Sequence, residues 1–579
     1  MRTPILLLAL LATSVANASD LPNAQTLRAW IEEMKESPRG PFERIRWFCE
    51  DGTVLPPKAG ACVPHGGGIQ HGEWNARAKA LREGGYVVAN VLAKLEPEDF
   101  VGADADLEAL RQILLERFLI GWDDGWILRG ARSYRGAFQA EDEEAAARAV
   151  VLAMLVDPLW RDPARFALLR ESVRLLPVRT EEGRASEVRL HALRIADRDQ
   201  AFMPLRAKIH GSPDPGDAAR VREYAQTEGR SELAAEYEAL ATEIDELYGA
   251  DAADSIDGLA ERISDAALSE ELRKGAEGLR GTDIPGQRLA ILAGLLSSVR
   301  DRFPKIGEHE TAFAALEASL AIEDEVYAVG NALAQELPGY SRQQRLWLLE
   351  YTAKALYGAG FLSRRHVEGV TAAVVRLEQA RPLTVNPYRD EIAYLARVPE
   401  WCNRWLVFNF GPAVAHLAPI EPEAHLYSQD RLRGSPLLFY SATIDSLALD
   451  VSQLAGTRGE LFGESVGAGL RALNPGLAQG RLRVEGAGER ESMETDGIYL
   501  LPETTAELPR VAGILTEGEG SSLSHVQLLA RNLGIPNVVV SHELLPRVRA
   551  KSGAKVVLAV SPGGVVQLAL SDASWDAML

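Results

Sequence analysis

Apolar residues recur at helical spacing through most of the chain, from about Leu21 to Pro399. Leu107, Leu110, Ile113, Leu114 and Phe118 form one such face, and Phe313, Leu316, Leu320 and Tyr327 another, with charges between them. That spacing predicts a largely helical region over 19–400. The periodicity breaks at 51–72, where Gly and Pro are frequent, and again at 211–217, 280–286 and 337–342, which divides the region into two or three bundles. From Trp401 the texture changes. Trp405, Val407, Phe408 and Phe410 crowd together before Pro-rich turns, and 401–450 reads as a connecting segment of mixed structure. Further on, short apolar runs predict strands at Gly480–Val484, Gly497–Leu501, Gly513–Thr516, Val538–Val540, Val556–Val560 and Val565–Leu568, with helical patterns at 523–533 and 543–551. The expected fold class is multidomain: a mostly α-helical N-terminal region followed by a compact α/β domain over 451–572.

Composition narrows the function. A chain of 579 residues, 46% hydrophobic and 25% charged, is long enough for several packed units. With 62 Lys and Arg against 82 Asp and Glu, the net charge of −20 argues against nucleic acid as a partner. Arg2, the apolar run Ile5–Ala12 and Ala16-Asn17-Ala18 read as a signal peptide over 1–18 with cleavage near Ala18, so a periplasmic or secreted protein is expected. No later run reaches the roughly 20 apolar residues that a membrane span needs. In an exported protein Cys49 and Cys62 would pair as a disulfide and leave Cys402 buried and free; two inert thiols are the alternative.

The densest chemistry lies between Gly513 and Pro536. A strand ends at Thr516, a Gly/Ser loop follows, and a helix is expected to begin near Ser524, a residue type suited to the N-cap. His525 then falls in the first turn, where the positive end of the helix dipole favours an anion and keeps an imidazole neutral and nucleophilic. Gly518 and Gly520 allow close backbone approach, Thr516, Ser521, Ser522 and Ser524 offer hydroxyls, and Arg531 lies six residues beyond the histidine. By itself, a histidine at a helix start after a Gly-rich loop is common.

The stretch resembles the signature of the swivelling phosphohistidine domain shared by phosphoenolpyruvate synthase, pyruvate phosphate dikinase and the glucan water dikinases. Thr516, Gly520, Ser524, His525, Ala530, Arg531, Gly534, Ile535 and Pro536 match that signature, and Asn474-Pro-Gly-Leu-Ala-Gln-Gly480 is similar to its strand entry. The resemblance covers about 475–570. It implies a phosphotransferase in which His525 carries the phosphoryl group, Thr516, Gly518, Gly520 and Ser524 bind its oxygens, and Arg531 balances its charge. ATP or phosphoenolpyruvate would be the donor, with Mg on a partner domain and no firmly bound cofactor, and a small molecule or glycan would be the acceptor.

Two departures accompany the resemblance. The loop before His525 is one residue longer than the commonest pattern and carries Glu519 where consecutive glycines are usual. No ATP-grasp or barrel pattern is recognisable, so the chain would need a separate ATP-grasp or nucleotide-binding protein to complete a cycle. The rival reading is a non-catalytic exported binding or docking protein that keeps the mobile-domain fold.

Three lesser candidates remain. His65 and His71 flank a Gly-rich turn, but no complete metal site is predicted. Arg129, Arg132 and Arg135 would form one helical row able to hold an anion or sugar, with internal ion pairing as the default. Arg431 and Arg433 are expected at a hinge or docking surface.

Overall fold

The computed structural model describes residues 21–575 except for 59, 124, 179–187, 189, 190, 193, 197, 212–215, 228–230, 249–251, 456–458, 468, 485–492, 502–510, 518–529, 531–533, 562 and 574, and gives no side-chain placement at 132–141, 207, 208, 210, 211, 231, 246–248, 252 and 335. The segment expected to be a signal peptide lies outside the described residues. The chain divides into two compact units: Met1–Trp160 with Leu168–Ala250 and Phe410–Tyr427, and Arg161–Ala167 with Asp251–Asn409 and Ser428–Leu579. The fold is mostly helical, with a mixed sheet at the C-terminal end. Among the described residues, no helix is long and apolar enough to cross a membrane.

The first unit contains α1 (Ala24–Glu36), then a sheet in the order β2-β1-β3 built from β1 (Phe42–Cys49), β2 (Val54–Leu55) and β3 (Gly68–Trp74), followed by α2 (Leu107–Trp122) and α3 (Arg132–Val156). This sheet corrects the expectation of a plain break at 51–72. Period-2 alternation explains its second half, where Ile45, Trp47 and Cys49 turn inward, and an irregularity between Phe42 and Arg44 lets Phe42 be buried as well while Glu43 and Arg44 face solvent. Cys49 at the end of β1 is disulfide-bonded to Cys62, 13 residues on, and the pair packs with Trp47. Closing a loop of that length restricts the unfolded chain by about 3 kcal/mol. Reducing agent, or Cys49→Ser with Cys62→Ser, is expected to lower the stability of this unit by that order in a denaturant titration; an unchanged midpoint would show the link to be dispensable. Cys402 is buried, and burial pushes its thiol well above the usual range.

His71 on β3 is 4% exposed, and its ring stacks on Phe48 with centroids 3.9 Å apart. Burial, reinforced by Lys94, pushes its pKa down to about 4. Unfolding releases the ring to titrate near 6.5, so the unfolded chain binds one more proton over the interval from about 6.5 to about 4. The contribution of His71 is therefore complete above that interval and declines through it by up to about 3 kcal/mol. The difference in unfolding free energy between parent and His71→Phe, followed across this range, is expected to show that one-proton slope. His65 is half-buried and lies 2.8 Å from Asp51, whose carboxyl is held at about 2 chiefly by the Thr53 backbone N–H. No group of three metal-ligating side chains occurs among the described residues.

Arg129 does not share one helix with Arg132 and Arg135. Gly125 and Trp126 both adopt positive φ, and a single 3₁₀ turn, Trp126–Leu128, precedes α3, which starts only at Arg132. Trp126 is fully buried and donates its indole N–H to Glu421 Oε2 at 2.8 Å, which anchors the turn. Arg129 pairs with Asp123, whereas the side chains of Arg132 and Arg135 lie outside the described set.

The second unit contains α4 (His309–Glu336), α5 (Arg342–Gly358), α6 (Val385–Leu395), α7 (Val398–Leu417, counted with the first unit from Phe410), α8 (Leu426–Arg433) and α9 (Leu437–Leu454). Residues 401–450 are thus chiefly helical rather than mixed. Cys402, Leu406, Phe410, Ala413 and Leu417 are buried at i, i+4 and i+3 spacing, and Pro412 is accommodated within α7. Arg431 on α8 is also a correction. It is 6% exposed, pairs with Glu323 on α4 at 3.0 Å and lies 4.7 Å over the Phe361 ring. Arg433, in the last turn of α8, is exposed.

The C-terminal sheet comprises β4 (Gly459–Leu461), β5 (Glu464–Gly467), β6 (Leu470–Asn474), β7 (Gly476–Val484), β8 (Gly497–Leu501), β9 (Gly513–Glu517), β10 (Asn537–Val540), β11 (Lys555–Val560) and β12 (Val566–Leu570) in the order β5-β4-β12-β11-β7-β8-β9-β10-β6. The neighbours β7, β8, β9 and β10 run parallel, while β11 and β6 flank them antiparallel. At Gly480 a Cβ would lie 2.1 Å from the Asp496 carbonyl oxygen, so only glycine lets the chain entering β8 approach β7 this closely.

Candidate functional site

Parallel strands deliver their carboxyl ends to one edge, the usual place for a ligand in an open α/β sheet. Here β8 and β9 end side by side, with Leu501 opposite Thr516. Side chains alternate along β9. Leu515 enters the core with Val538, Val540 and Leu558, while Ile514 packs on the opposite face with Tyr499, Leu501, Val511, Ala530 and Ile535. Ala530, which belongs to the stretch that carries the histidine, thus packs on this second face.

Thr516 is fully buried, and its Oγ1 donates to Asn537 Oδ1 at 3.1 Å. Its hydroxyl proton is therefore committed to Asn537 rather than turned toward an oxyanion. Asn537 is itself fully buried, and among the described residues its Nδ2 has no hydrogen-bond partner. A buried amide donor left unmade costs about 1–3 kcal/mol. Of the remaining predicted phosphate-site residues, Gly518, Gly520, Ser524, His525 and Arg531 lie outside the described residues, as does Glu519. Glu517, at the end of β9, pairs with Arg549 at 2.5 Å.

The downstream end of the stretch is firmly held. Gly534 takes φ +68°, the left-handed conformation common just past a helix end. The Ile535 N–H returns to the Ala530 carbonyl at 2.8 Å, and Ile514 N–H donates to the Pro536 carbonyl at 2.9 Å. Asn474 at the end of β6 donates its Nδ2 to the carbonyls of Ile535 at 2.6 Å and Ala530 at 3.3 Å. The two halves of the sequence signature, around 474–480 and 513–536, therefore meet in space through Asn474. Sequence reading named neither amide as functional. The available signal was a polar residue, Asn537, between a proline and an otherwise unbroken Val-Val-Val run.

Residues 498–561 match the family described as PEP-utilising enzyme, mobile domain. The matched interval runs from β8 to the end of β11 and includes the whole Thr516–Pro536 stretch. No curated protein and no solved structure shows a significant match to the chain.

Proposed function

We propose that this chain is the phosphoryl-carrying component of a phosphotransfer system, with His525 as the carrier. The observation that carries the reading is the mobile-domain match over 498–561, which includes His525 and the parallel strand β9 that precedes it. A ring nitrogen of the neutral imidazole attacks phosphorus in line, the phosphorus–oxygen bond to the donor breaks, and the nucleotide or enolpyruvate oxygen leaves with the electron pair. A second in-line attack by an acceptor hydroxyl returns the imidazole to its starting form. Arg531 and the loop amides balance the charge of the bound group, and Ser524 supplies a hydroxyl. Thr516 acts here through its hydrogen bond to Asn537.

A separate ATP-grasp protein would load the histidine from ATP, with Mg on that protein; phosphoenolpyruvate is the alternative donor. The acceptor is a small molecule or glycan. The Cys49–Cys62 disulfide supports a periplasmic or secreted location, because such bonds persist in oxidising compartments. The test is incubation of the full chain with γ- or β-labelled ATP, and separately with labelled phosphoenolpyruvate, with and without a candidate ATP-grasp partner. Acid-labile, base-stable label on the chain is the expected result. A chain that takes label from neither donor under any of these conditions belongs instead with binding or docking modules.

A further inference from the structure

Inside the second unit, α6 and α9 stand against β6 and the turn 561–564 with an open cleft of about 210 Å³ between them. Its floor is apolar, formed by Ile392, Ile444, Ala448 and Val451 among others, and its walls are polar. Arg389 comes from α6 and Arg471 from β6, two cations from separate elements lining the same space, against one lining carboxylate, Asp445. Arg471 pairs with Asp445 at 3.8 Å, and Arg389 Nε lies 3.5 Å from its largely exposed sequence neighbour Asp390. Ser561 accepts the Val565 N–H at 2.9 Å, which leaves its own hydroxyl proton to donate. A packing fault would be closed and apolar throughout; this space is open, cationic on balance and provided with a hydroxyl.

From this juxtaposition we infer that the cleft binds a small organic anion, with a carboxylate or phosphate monoester held by Arg389, Arg471 and Ser561 and a short apolar body resting on Ile392, Ile444 and Val451. Guanidinium forks suit either head group, and the floor admits an alkyl chain rather than a second charge. The inference does not depend on the phosphohistidine reading, because none of these residues belongs to the stretch 513–536.

Calorimetric titration of the full chain with hexanoate, hexyl phosphate and hexanol tests it. Saturable binding of at least one anion is expected, at least about tenfold tighter than hexanol, as charge-assisted hydrogen bonds require. Hexanoate alone would assign the carboxylate and hexyl phosphate alone the phosphate. Arg389→Gln is expected to weaken the anion about tenfold and leave hexanol unchanged, whereas Ala448→Phe fills the floor and weakens all three. Circular dichroism and melting of each variant confirm that it folds. Absence of saturable binding by either anion, equal affinity for anion and alcohol, or indifference of the anion to Arg389→Gln in a folded protein overturns the proposal.

Discussion

The His525→Ala chain is expected to take up no acid-labile label under conditions that load the parent, a complete loss rather than a reduction. The reason is chemical: the bond formed is between phosphorus and an imidazole nitrogen, and alanine has no nucleophile to replace it. Phosphoramidate label is lost in acid and kept in base, whereas serine or threonine esters behave in the opposite way, so the chemistry of the label separates His525 from Ser521, Ser522 and Ser524. Arg531→Met, which removes charge balance but not the nucleophile, is expected to slow loading by about 10²-fold or more without abolishing it, the usual scale for losing one such stabilising group. Equal labelling of parent and His525→Ala would remove the carrier assignment while leaving the sheet and the cleft untouched.

Breaking the Arg431–Glu323 pair is expected to be the costliest single change in the helical part. Arg431→Met removes the guanidinium that pairs with the Glu323 carboxylate, 1% exposed, and breaking a buried pair from one side costs about 3–5 kcal/mol. The double change Arg431→Met with Glu323→Leu removes both charges and is expected to recover most of the loss, since a buried pair adds little over a well-packed apolar replacement. Thermal unfolding of the three chains gives the comparison. A single variant within about 1 kcal/mol of the parent would mean that water reaches Glu323 and the pair is not dry.

The fate of Arg431 illustrates what a sequence can and cannot disclose. Charged residues are read as solvated by default, and only a partner more than a hundred positions away makes burial tolerable; that partner has no local signature. The strands β7 to β12 were readable because Val, Ile and Leu runs between turn residues have few other uses. Strands β4 and β5 were missed because Gly459-Glu-Leu-Phe-Gly-Glu-Ser-Val-Gly467 carries too little apolar side chain to announce itself, and β6 because Leu470-Arg-Ala-Leu-Asn474 is short and mixed; pairing with β12 and β10 supplies their order. The arginine row failed for the converse reason, since spacing of three suggested one helix, whereas Arg129 closes a 3₁₀ turn and the helix begins only at Arg132. At the candidate site the motif was legible, but the amides that support it were not. Asn474 and Asn537 work through contacts between strands far apart in sequence, and an isolated asparagine is ordinarily read as a turn residue.

The hold of Asn474 on Ala530 and Ile535 sets a limit on travel. Five residue steps lead from His525 to Ala530, and a chain fully stretched gains at most about 3.6 Å per residue, so the His525 Cα stays within roughly 18 Å of that anchorage and the imidazole within a side-chain length more. Donor and acceptor placed farther apart than this tether allows could be served only if the whole strand assembly were carried from one to the other.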